Sequence, residues 1–582
     1  MRKTKIICTI GPSSEVVEVL QKMIKMGMNV ARLNFSHGTH AEHKQRVDHI
    51  RQAARASQAT VAIMLDTKGP EIRTGTLQKG KINLTAGDEF TLTTNSVPGD
   101  EKQVNITYPH LPAEIRPGDC ILLADGLISL QVERTTATDI VCRVMNGGEL
   151  GERKGINVPG IRVNLPFLSD KDRQDIGFAI QYQLDFIAAS FVRSADDILE
   201  IRRILEENHA DIDIIAKIES QEGVDNLEEI IKVADGVMVA RGDLGVEIPA
   251  EEVPLLQKRI IKQCIAAGKT VIIATQMLES MINNPRPTRA EVSDVANAIF
   301  DGADAIMLSG ETAAGKYPVE VVETMARVAR RAEDVLPYEE FLREKRFIGT
   351  STVADAISYA TCTTAMNLDA SAIVSATHTG HTARLIAKYR PQATVVAATP
   401  KPRILQKLTM VWGVNPVLIE GSSNTDELFE QSVQAALQCG HIKHGDLVVL
   451  TAGIPAGTPG GTNLLKVYVV GDIVARGTGI GHEPVTGRAA VIQSDSDLQR
   501  LKEGDIAVLP SASSSLAPYL DKIKAIITEA GGLTSDAAII GLNNNIPVIV
   551  GVQDAVRILE DGMLITVDTP RGVIYRGFAR VK

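Results

Sequence analysis

The hydrophobic positions of this chain fall into short apolar runs that alternate with longer amphipathic stretches. KIICTIG (5–11), NVARLNFS (29–36) and VAIMLDTKG (61–69) are β-like, and segments of helical character lie between them, from about Ser14 to Met26 and from about Ala41 to Ser57. That rhythm predicts βαβ units and a parallel sheet. It breaks after Pro70. As far as about Pro166 the chain shows alternating short strands, turns such as Pro98-Gly99-Asp100 and Pro117-Gly118-Asp119, and almost no helical periodicity, which predicts an inserted small β domain. The βα rhythm then resumes through FIAASFV (186–192), DIIAKIE (213–219), GVMVARG (236–242), TVIIATQ (270–276) and AIMLSGE (305–311). Eight such units, with about 250 residues once the insert is removed, fit a (β/α)8 barrel.

Sites in such barrels lie at the carboxy-terminal ends of the strands. Polar residues gather there: Arg32, Asn34 and Ser36; Asp66 and Thr67; Lys217 and Glu219; Asp243; Thr275; Ser309 and Glu311. Purely structural ion pairs are expected at both ends of the strands, so this one-sided gathering argues for a site.

Beyond the barrel, Glu339 to Thr352 is charged, lacks apolar periodicity and reads as a linker. AIVSAT (372–377), TVVAAT (394–399), VNPVLI (414–419), DLVVLTAG (446–453) and KVYVVG (466–471) then alternate with helices as in an open doubly wound α/β sheet. The turn from Thr377 to Thr382 is rich in hydroxyls and opens a helix, where backbone N–H groups favour phosphate. A helix cap with spare threonines accounts for it equally well. A Gly-rich crossing after Asp472 leads to a last α/β unit. The expected domains are 1–69 with 167–345 (barrel), 70–166 (insert), 346–472 and 473–582.

Composition narrows the function. At 582 residues the chain has room for about four domains of ~150 residues. Hydrophobic residues at 44% and charged ones at 23% are ordinary for a soluble protein. One Trp, 4% aromatics and a net charge of −10 argue against nucleic acid as a partner, but not against a small anion held in a local basic pocket. Six scattered cysteines without metal spacing suit a reduced, cytoplasmic setting. No export signal and no apolar run near 18 residues is present, so no membrane association is expected.

Residues two apart on a strand face the same side, so Lys217 and Glu219 project together. If the next strand lies alongside, Asp243 comes within reach of Glu219, and two carboxylates with water suit a divalent metal of the magnesium type. Alone, a Lys-x-Glu pair is more often a plain ion pair on a sheet rim. Arg32, Asn34 and Ser36 share one strand face, offering a guanidinium for phosphate and two oxygen ligands. Asp66 and Thr67 add oxygens for a monovalent cation, and Arg73 stands where a lid would hinge.

ARLNFSHG, LDTKGPEIRTG, RKGINVPG, AKIES, VARGDLGVEIP, ATQMLESM, PTRAEVSDVANAI and LSGETAAGKYP together resemble the pyruvate kinases, in that family's order, and the resemblance covers about residues 1 to 472. It implies a TIM barrel with an inserted β-barrel lid and an α/β effector domain, passing the phosphoryl group of phosphoenolpyruvate to ADP to give pyruvate and ATP. Glu219 and Asp243 would hold Mg2+ or Mn2+, and Asn34, Ser36, Asp66 and Thr67 would hold K+. Lys217 and Arg32 would act on the phosphoryl group. Gly242, Asp243 and Thr275 would meet the rest of the substrate, with Thr275 or a relay through Ser309 delivering the proton. Arg73, Lys154 and Asn34 would bind the nucleotide. Glu101 aligns by eye with the glutamate of potassium-dependent members. Thr377, Thr379, Gly380 and Thr382 would grip the phosphate of a sugar phosphate or AMP effector, covered by Gly453 to Gly461. Arg241 takes no ligand role and is expected to orient a carboxylate. A cytoplasmic homotetramer is implied.

The tail resembles the swivelling phosphohistidine domain of phosphoenolpyruvate-utilising enzymes, but Gly531-Gly532-Leu533-Thr534-Ser535 is followed by Asp536 where the phospho-accepting histidine belongs. That activity is therefore not expected, and the tail reads as structural or regulatory. The competing function is a metal-dependent barrel lyase or aldolase acting on pyruvate enolate, which would have little use for Arg73, Lys154 and a lid.

Overall fold

Eight short runs of Ile, Val, Ala and Met, buried at nearly every position, form the centre of the computed structural model, which describes residues 2–345, 352–453 and 461–579. Strands β1 (Lys5–Thr9), β2 (Val30–Asn34), β3 (Ala62–Asp66), β4 (Phe186–Ala189), β5 (Asp213–Ile218), β6 (Gly236–Ala240), β7 (Thr270–Ala274) and β8 (Ala305–Leu308) close into a parallel barrel in chain order. Burial on both faces explains why these strands read as continuous apolar runs rather than alternating ones. Ile7, Met64, Phe186, Ile215, Met238 and Ile272 belong to the cluster that fills the interior. The register sets Asn34 beside Asp66 and Thr9 beside Arg32, so the polar residues that follow the apolar runs converge on one rim.

Helix α1 (His40–Ala56) follows β2 and is opened by a capping box between Thr39 and Glu42. After β3 the chain leaves the barrel and builds a seven-stranded sheet and a two-stranded ribbon between Ile72 and Asn157. This insert has its own core, with Phe90, Leu92, Val104, Ile121, Leu130 and Ile140 fully buried. The chain re-enters the barrel through helix α2 (Asp170–Gln181), again started by a capping box, Ser169 with Asp172.

Two expectations need correction. The strand expected over 236–242 ends at Ala240, and Arg241–Glu247 forms helix α3. Asp243 therefore sits in a helix's first turn, where a carboxylate is favoured by the backbone dipole, and does not alternate with Arg241 along a strand. The expected linker is partly helical too: α4 (Tyr338–Lys345) carries an i, i+4 pair between Glu339 and Arg343 and buries Leu342. One buried leucine gives too little periodicity to show in the sequence.

The chain forms two compact units. One holds the barrel and insert through Pro337 together with Pro402–Val414. The other contains a five-stranded sheet and the tail. In that sheet β9 (Ala372–Ala376), β10 (Thr394–Thr399), β11 (Val414–Leu418), β12 (Leu447–Gly453) and β13 (Thr462–Val469) take the order β11-β10-β9-β12-β13. β9 pairs in parallel with β10 and β12, whereas β13 is an antiparallel edge that begins earlier than the expected 466–471 run. Helix α5 (His381–Lys388) follows β9, and α6 (Pro402–Lys407) lies between β10 and β11. The tail is an eight-stranded mixed sheet with helix α7 (Asp536–Asn544), capped by Ser535.

Candidate functional site

Lys217, near the end of β5, is buried, and its Nζ stands 2.7 Å from Ser190 Oγ, 3.2 Å from Asp66 Oδ1 and 2.9 Å from Glu219 Oε1. Asp66, the last residue of β3, shares its other oxygen with Arg32, whose Nε is 2.6 Å away. Arg32 also donates from Nη1 to Thr9 Oγ1 at 2.8 Å. Two cations and two carboxylates thus stand side by side out of water.

Burial alone would pull the Lys217 ammonium down, but Asp66 and then Glu219 outweigh it and hold the group above its ordinary range. Burial likewise opposes the Asp66 carboxylate, and Arg32 followed by Lys217 brings it below its ordinary value. Glu219 goes the other way. Burial pushes it up to about 7, the charge of Asp243 adds to this, and Lys217 only partly opposes it. Its Oε2 accepts the Phe191 N–H at 2.7 Å, while Oε1 has the Lys217 ammonium at 2.9 Å and no other partner among the described residues.

A buried carboxylate next to a second one is a place where a further cation lowers the energy. Among the described residues no three His, Cys, Asp or Glu side chains converge as a metal cluster, so Glu219 and Asp243 are a two-carboxylate set that leaves coordination positions for water or substrate. Asn34 and Asp66 are in register on neighbouring strands, and Ser36 and Thr67 follow them in the chain, so these four are the residues that could offer oxygens to a cation here. Because Asp66 is already balanced by Arg32 and Lys217, a singly charged ion suits this set better than a divalent one. Asn34 Oδ1 accepts the Ser36 N–H at 3.0 Å, which folds the loop so that both side chains stay at the strand end.

Thr275 has φ +66, an uncommon conformation for a β-branched residue. It is held by its surroundings: Gly242 N–H donates to Thr275 Oγ1 at 2.8 Å, and Arg241 Nη2 to the Thr275 carbonyl at 2.8 Å. Arg241 also pairs with Asp294 at 2.7 Å. Its work is thus to fix the Thr275 turn rather than to orient either metal-type carboxylate. Ser309 is set by its N–H donating to the buried Glu311 at 2.7 Å.

Between rim and insert lies a cavity of about 770 Å³, lined by His37, Glu71, Arg73, Asp125, Lys154 and Asp243 among others. Arg73 Nε is 2.7 Å from Glu71 Oε2, and Arg73 Nη1 donates to the Arg153 carbonyl at 2.9 Å. Lys154 is exposed. Asn34 is not on the cavity wall, and neither are Arg32, Lys217, Glu219 and Thr275. Glu101 pairs with Lys79 at 2.8 Å on the outside of the insert, and Glu71 and Asp125 are the carboxylates that line the cavity from the insert side.

Sequence reasoning missed Ser190 and Glu71. Ser190 follows the apolar run of β4 just as Asp66 follows β3, so the strand-end criterion finds it when applied evenly. Its Oγ is also 2.8 Å from the Thr67 carbonyl, which ties three strand ends together. Glu71 sits in plain view inside LDTKGPEIRTG, two residues before Arg73 and thus on its side of an extended segment.

In the second unit, Gly380 N–H donates to Thr377 Oγ1 at 3.0 Å and His381 N–H to Thr379 Oγ1 at 3.4 Å, with Gly380 at φ +80. Thr382 Oγ1 is 2.6 Å from Thr462 Oγ1, and Ser375 Oγ, fully buried beneath the turn, has no partner among the described residues. The turn is held by the hydroxyls of Thr377 and Thr379. Residues 454–460 of the expected covering loop lie outside the described residues.

Three family profiles match the chain: the pyruvate kinase barrel domain over residues 1–322, the pyruvate kinase alpha/beta domain over 355–468, and the mobile domain of PEP-utilising enzymes over 501–572. Pyruvate kinases from Geobacillus stearothermophilus and Bacillus licheniformis are each 53% identical to it, with both chains covered completely. One from Staphylococcus epidermidis is 49% identical over the same span. Among solved structures, a pyruvate kinase from Cryptosporidium parvum matches with a TM-score of 0.77 at 44% identity, over 80% of this chain and 96% of that one.

Proposed function

The chain belongs to the pyruvate kinase family, a phosphotransferase between phosphoenolpyruvate and ADP, and we propose that its barrel rim does this chemistry with a divalent metal and a potassium ion. The observation that carries this reading is the buried Glu219, whose Oε1 has only the Lys217 ammonium at 2.9 Å as a partner among the described residues and whose charge is opposed by the neighbouring carboxylate of Asp243. Phosphoryl transfer asks little covalent work of a protein and much positioning of positive charge. Lys217 and Arg32 supply two fixed positive groups for the phosphoryl oxygens. Both are already desolvated and held by Asp66, so they need no reorganisation as charge moves. Mg2+ or Mn2+ on Glu219 and Asp243 would add positive charge for the carboxylate and enol oxygen of the substrate.

The strained Thr275 places its hydroxyl against Gly242 N–H, next to Asp243, which supports a role at the enolate face of the substrate. Arg73 and Lys154, across the cavity, suit the phosphates of ADP, and closure of the insert over them would exclude water. Potassium on Asn34, Ser36, Asp66 and Thr67, an effector phosphate on Thr377, Thr379, Gly380 and Thr382, and a cytoplasmic homotetramer complete the proposal. No helix among the described residues is long and apolar enough to cross a membrane.

The test is a coupled assay of pyruvate formation from phosphoenolpyruvate and ADP. Activity is expected to vanish in excess chelator and return with Mg2+. Activity that persists in chelator contradicts the metal assignment.

A further inference from the structure

The first turn of α2 reaches two segments of the rim at once, and its partners there are backbone groups. Lys171 Nζ donates to the Phe35 carbonyl at 2.8 Å, between Asn34 and Ser36. Asp172 Oδ1 accepts the Gly69 N–H at 3.1 Å, between Thr67 and Arg73. The Asp172 contact is buried, and the Lys171 contact stands at the surface on a buried anchor. Asp172 and Asp175 are fully buried, and Asp175 anchors Lys171 at 2.7 Å while its other oxygen is 2.6 Å from His40 Nε2. Phe35 stacks on His43 at 3.9 Å between ring centroids, and the Lys171 ammonium stands 5.9 Å from the same Phe35 ring.

Capping explains only half of Asp172. Its Oδ2 accepts from the N–H and hydroxyl of Ser169 at 3.1 and 2.5 Å, which completes the capping box, so Oδ1 is free for another partner and takes Gly69. Gly69 is where the chain turns from β3 into the insert. It has φ +72, and a Cβ there would lie 2.8 Å from the Ser190 Cβ, whose hydroxyl touches Lys217. Its N–H is therefore fixed by α2 on one side while its backbone abuts the catalytic lysine's partner on the other.

We infer that Lys171 and Asp172 are positioning residues that join the loop bearing Asn34 and Ser36 to the hinge of the insert. Filling the monovalent-cation set then biases closure of the lid. The inference rests on the proposed potassium set and adds a route by which that set acts on the nucleotide side. Neither residue touches substrate. Each acts through a backbone group that a side chain cannot replace.

The experiment is backbone hydrogen exchange across residues 67–75 of the full-length protein, in KCl and in tetramethylammonium chloride, for wild type, Lys171→Met, Lys171→Arg and Asp172→Asn. Wild type is expected to exchange at least about threefold more slowly in KCl, Lys171→Met and Asp172→Asn to lose most of that difference, and Lys171→Arg to keep it. The thermal midpoint of Lys171→Arg serves as the reference for a folded variant. A potassium response in Lys171→Met and Asp172→Asn equal to that of wild type overturns the coupling alone. No potassium response in wild type, in exchange or in activity, overturns the potassium set and the coupling with it.

Discussion

At the amino-terminal end of the barrel, Asp185, Asp235 and Asp304 each stand at the start of a strand and accept a neighbouring strand's N–H, from Ile63, Ile214 and Val271 at 2.8, 2.8 and 2.9 Å. Asn29 does the same for Ile6 at 3.0 Å. Arg403 and Lys407 then close this end, Arg403 on Asp185 and Lys407 on Asp211 and Asp213. The carboxy-terminal end holds a similar set of buried charges, with the Lys217 ammonium 2.9 Å from Glu219 Oε1 and a second carboxylate, Asp243, acting on Glu219. Both ends even raise a carboxyl: burial pushes Asp185 up to about 6 and Glu219 up to about 7. A raised pKa therefore does not separate structure from function here, and neither does an unmet buried polar atom, since among the described residues Thr4 Oγ1 and Arg2 Nε at the amino-terminal end also lack a hydrogen bond. What sets the rim apart is a second carboxylate, Asp243, that acts on the buried Glu219 and lines the cavity.

The sharpest way to break this comparison is to remove one lysine from each end. Lys217→Met is expected to lower kcat by about 10²- to 10³-fold, the usual cost of losing a preorganised charge-stabilising donor. Lys407→Met is expected to leave kcat within about twofold and to lower unfolding stability by about 3 kcal/mol, because a buried ammonium and its ion pairs with Asp211 and Asp213 are lost together. Initial rates and urea melts of both variants check this. A stability loss without a rate loss for Lys217→Met would make the two ends equivalent.

Metal binding gives the next largest contrast. Saturating Mg2+ is expected to raise the thermal midpoint of wild type and of Lys407→Met alike, and that of Glu219→Gln hardly at all. Differential scanning calorimetry with and without chelator reads this directly. Equal metal stabilisation in Glu219→Gln would move the divalent site elsewhere.

The strand-end clusters were legible in the sequence because barrel strands are uniform apolar runs, so the first polar residue after each run marks the rim. Structural charges stand at the opposite end too: Asp185, Asp213, Asp235 and Asp304 occupy the starts of the runs, so the polar residues do not gather at one end only. They are short, single and followed by apolar residues, so each reads as the end of a loop. The position of Asp243 was hidden for another reason. GVMVARGDLG carries no proline or other break at Ala240, and only the tertiary setting turns the chain into a helix there. Arg241 could not be placed either, since its partner Asp294 lies 53 residues further on.

A smaller effect follows from the titration of Glu219. The unfolded chain loses this proton near 4.5 and the folded protein near 7, so between those values the folded state holds a proton that the unfolded state lacks. Metal-free stability should therefore fall as pH rises across that window, by up to about 3 kcal/mol, and level off above it. Glu219→Gln should flatten the fall. Mg2+ should counteract it most at the upper end, where the carboxylate is ready to bind. Urea melts at pH 5 and pH 8 check the sign.

The opposite end supplies the mirror image of that titration in Lys5. Its ammonium is buried, and its hydrogen bond runs to the Val414 carbonyl at 2.6 Å. Burial, helped by Arg2 and Lys3 and opposed by Glu333 and Asp304, pulls it down to about 7. Here the unfolded chain keeps the proton up to about 10.5, so between pH 7 and that value it is the unfolded state that holds more protons, and stability should rise with pH. Lys5→Met removes a desolvated charge along with one hydrogen bond, two changes of opposite sign. Its stability at pH 7 should therefore stay within about 1 kcal/mol of wild type. The alkaline rise should disappear while kcat and the response to Mg2+ stay as in wild type, because nothing at this end touches the rim. A Lys5→Met variant that lost activity while remaining folded would show that the two ends are linked along the strands, and the division between a structural and a chemical end would no longer hold.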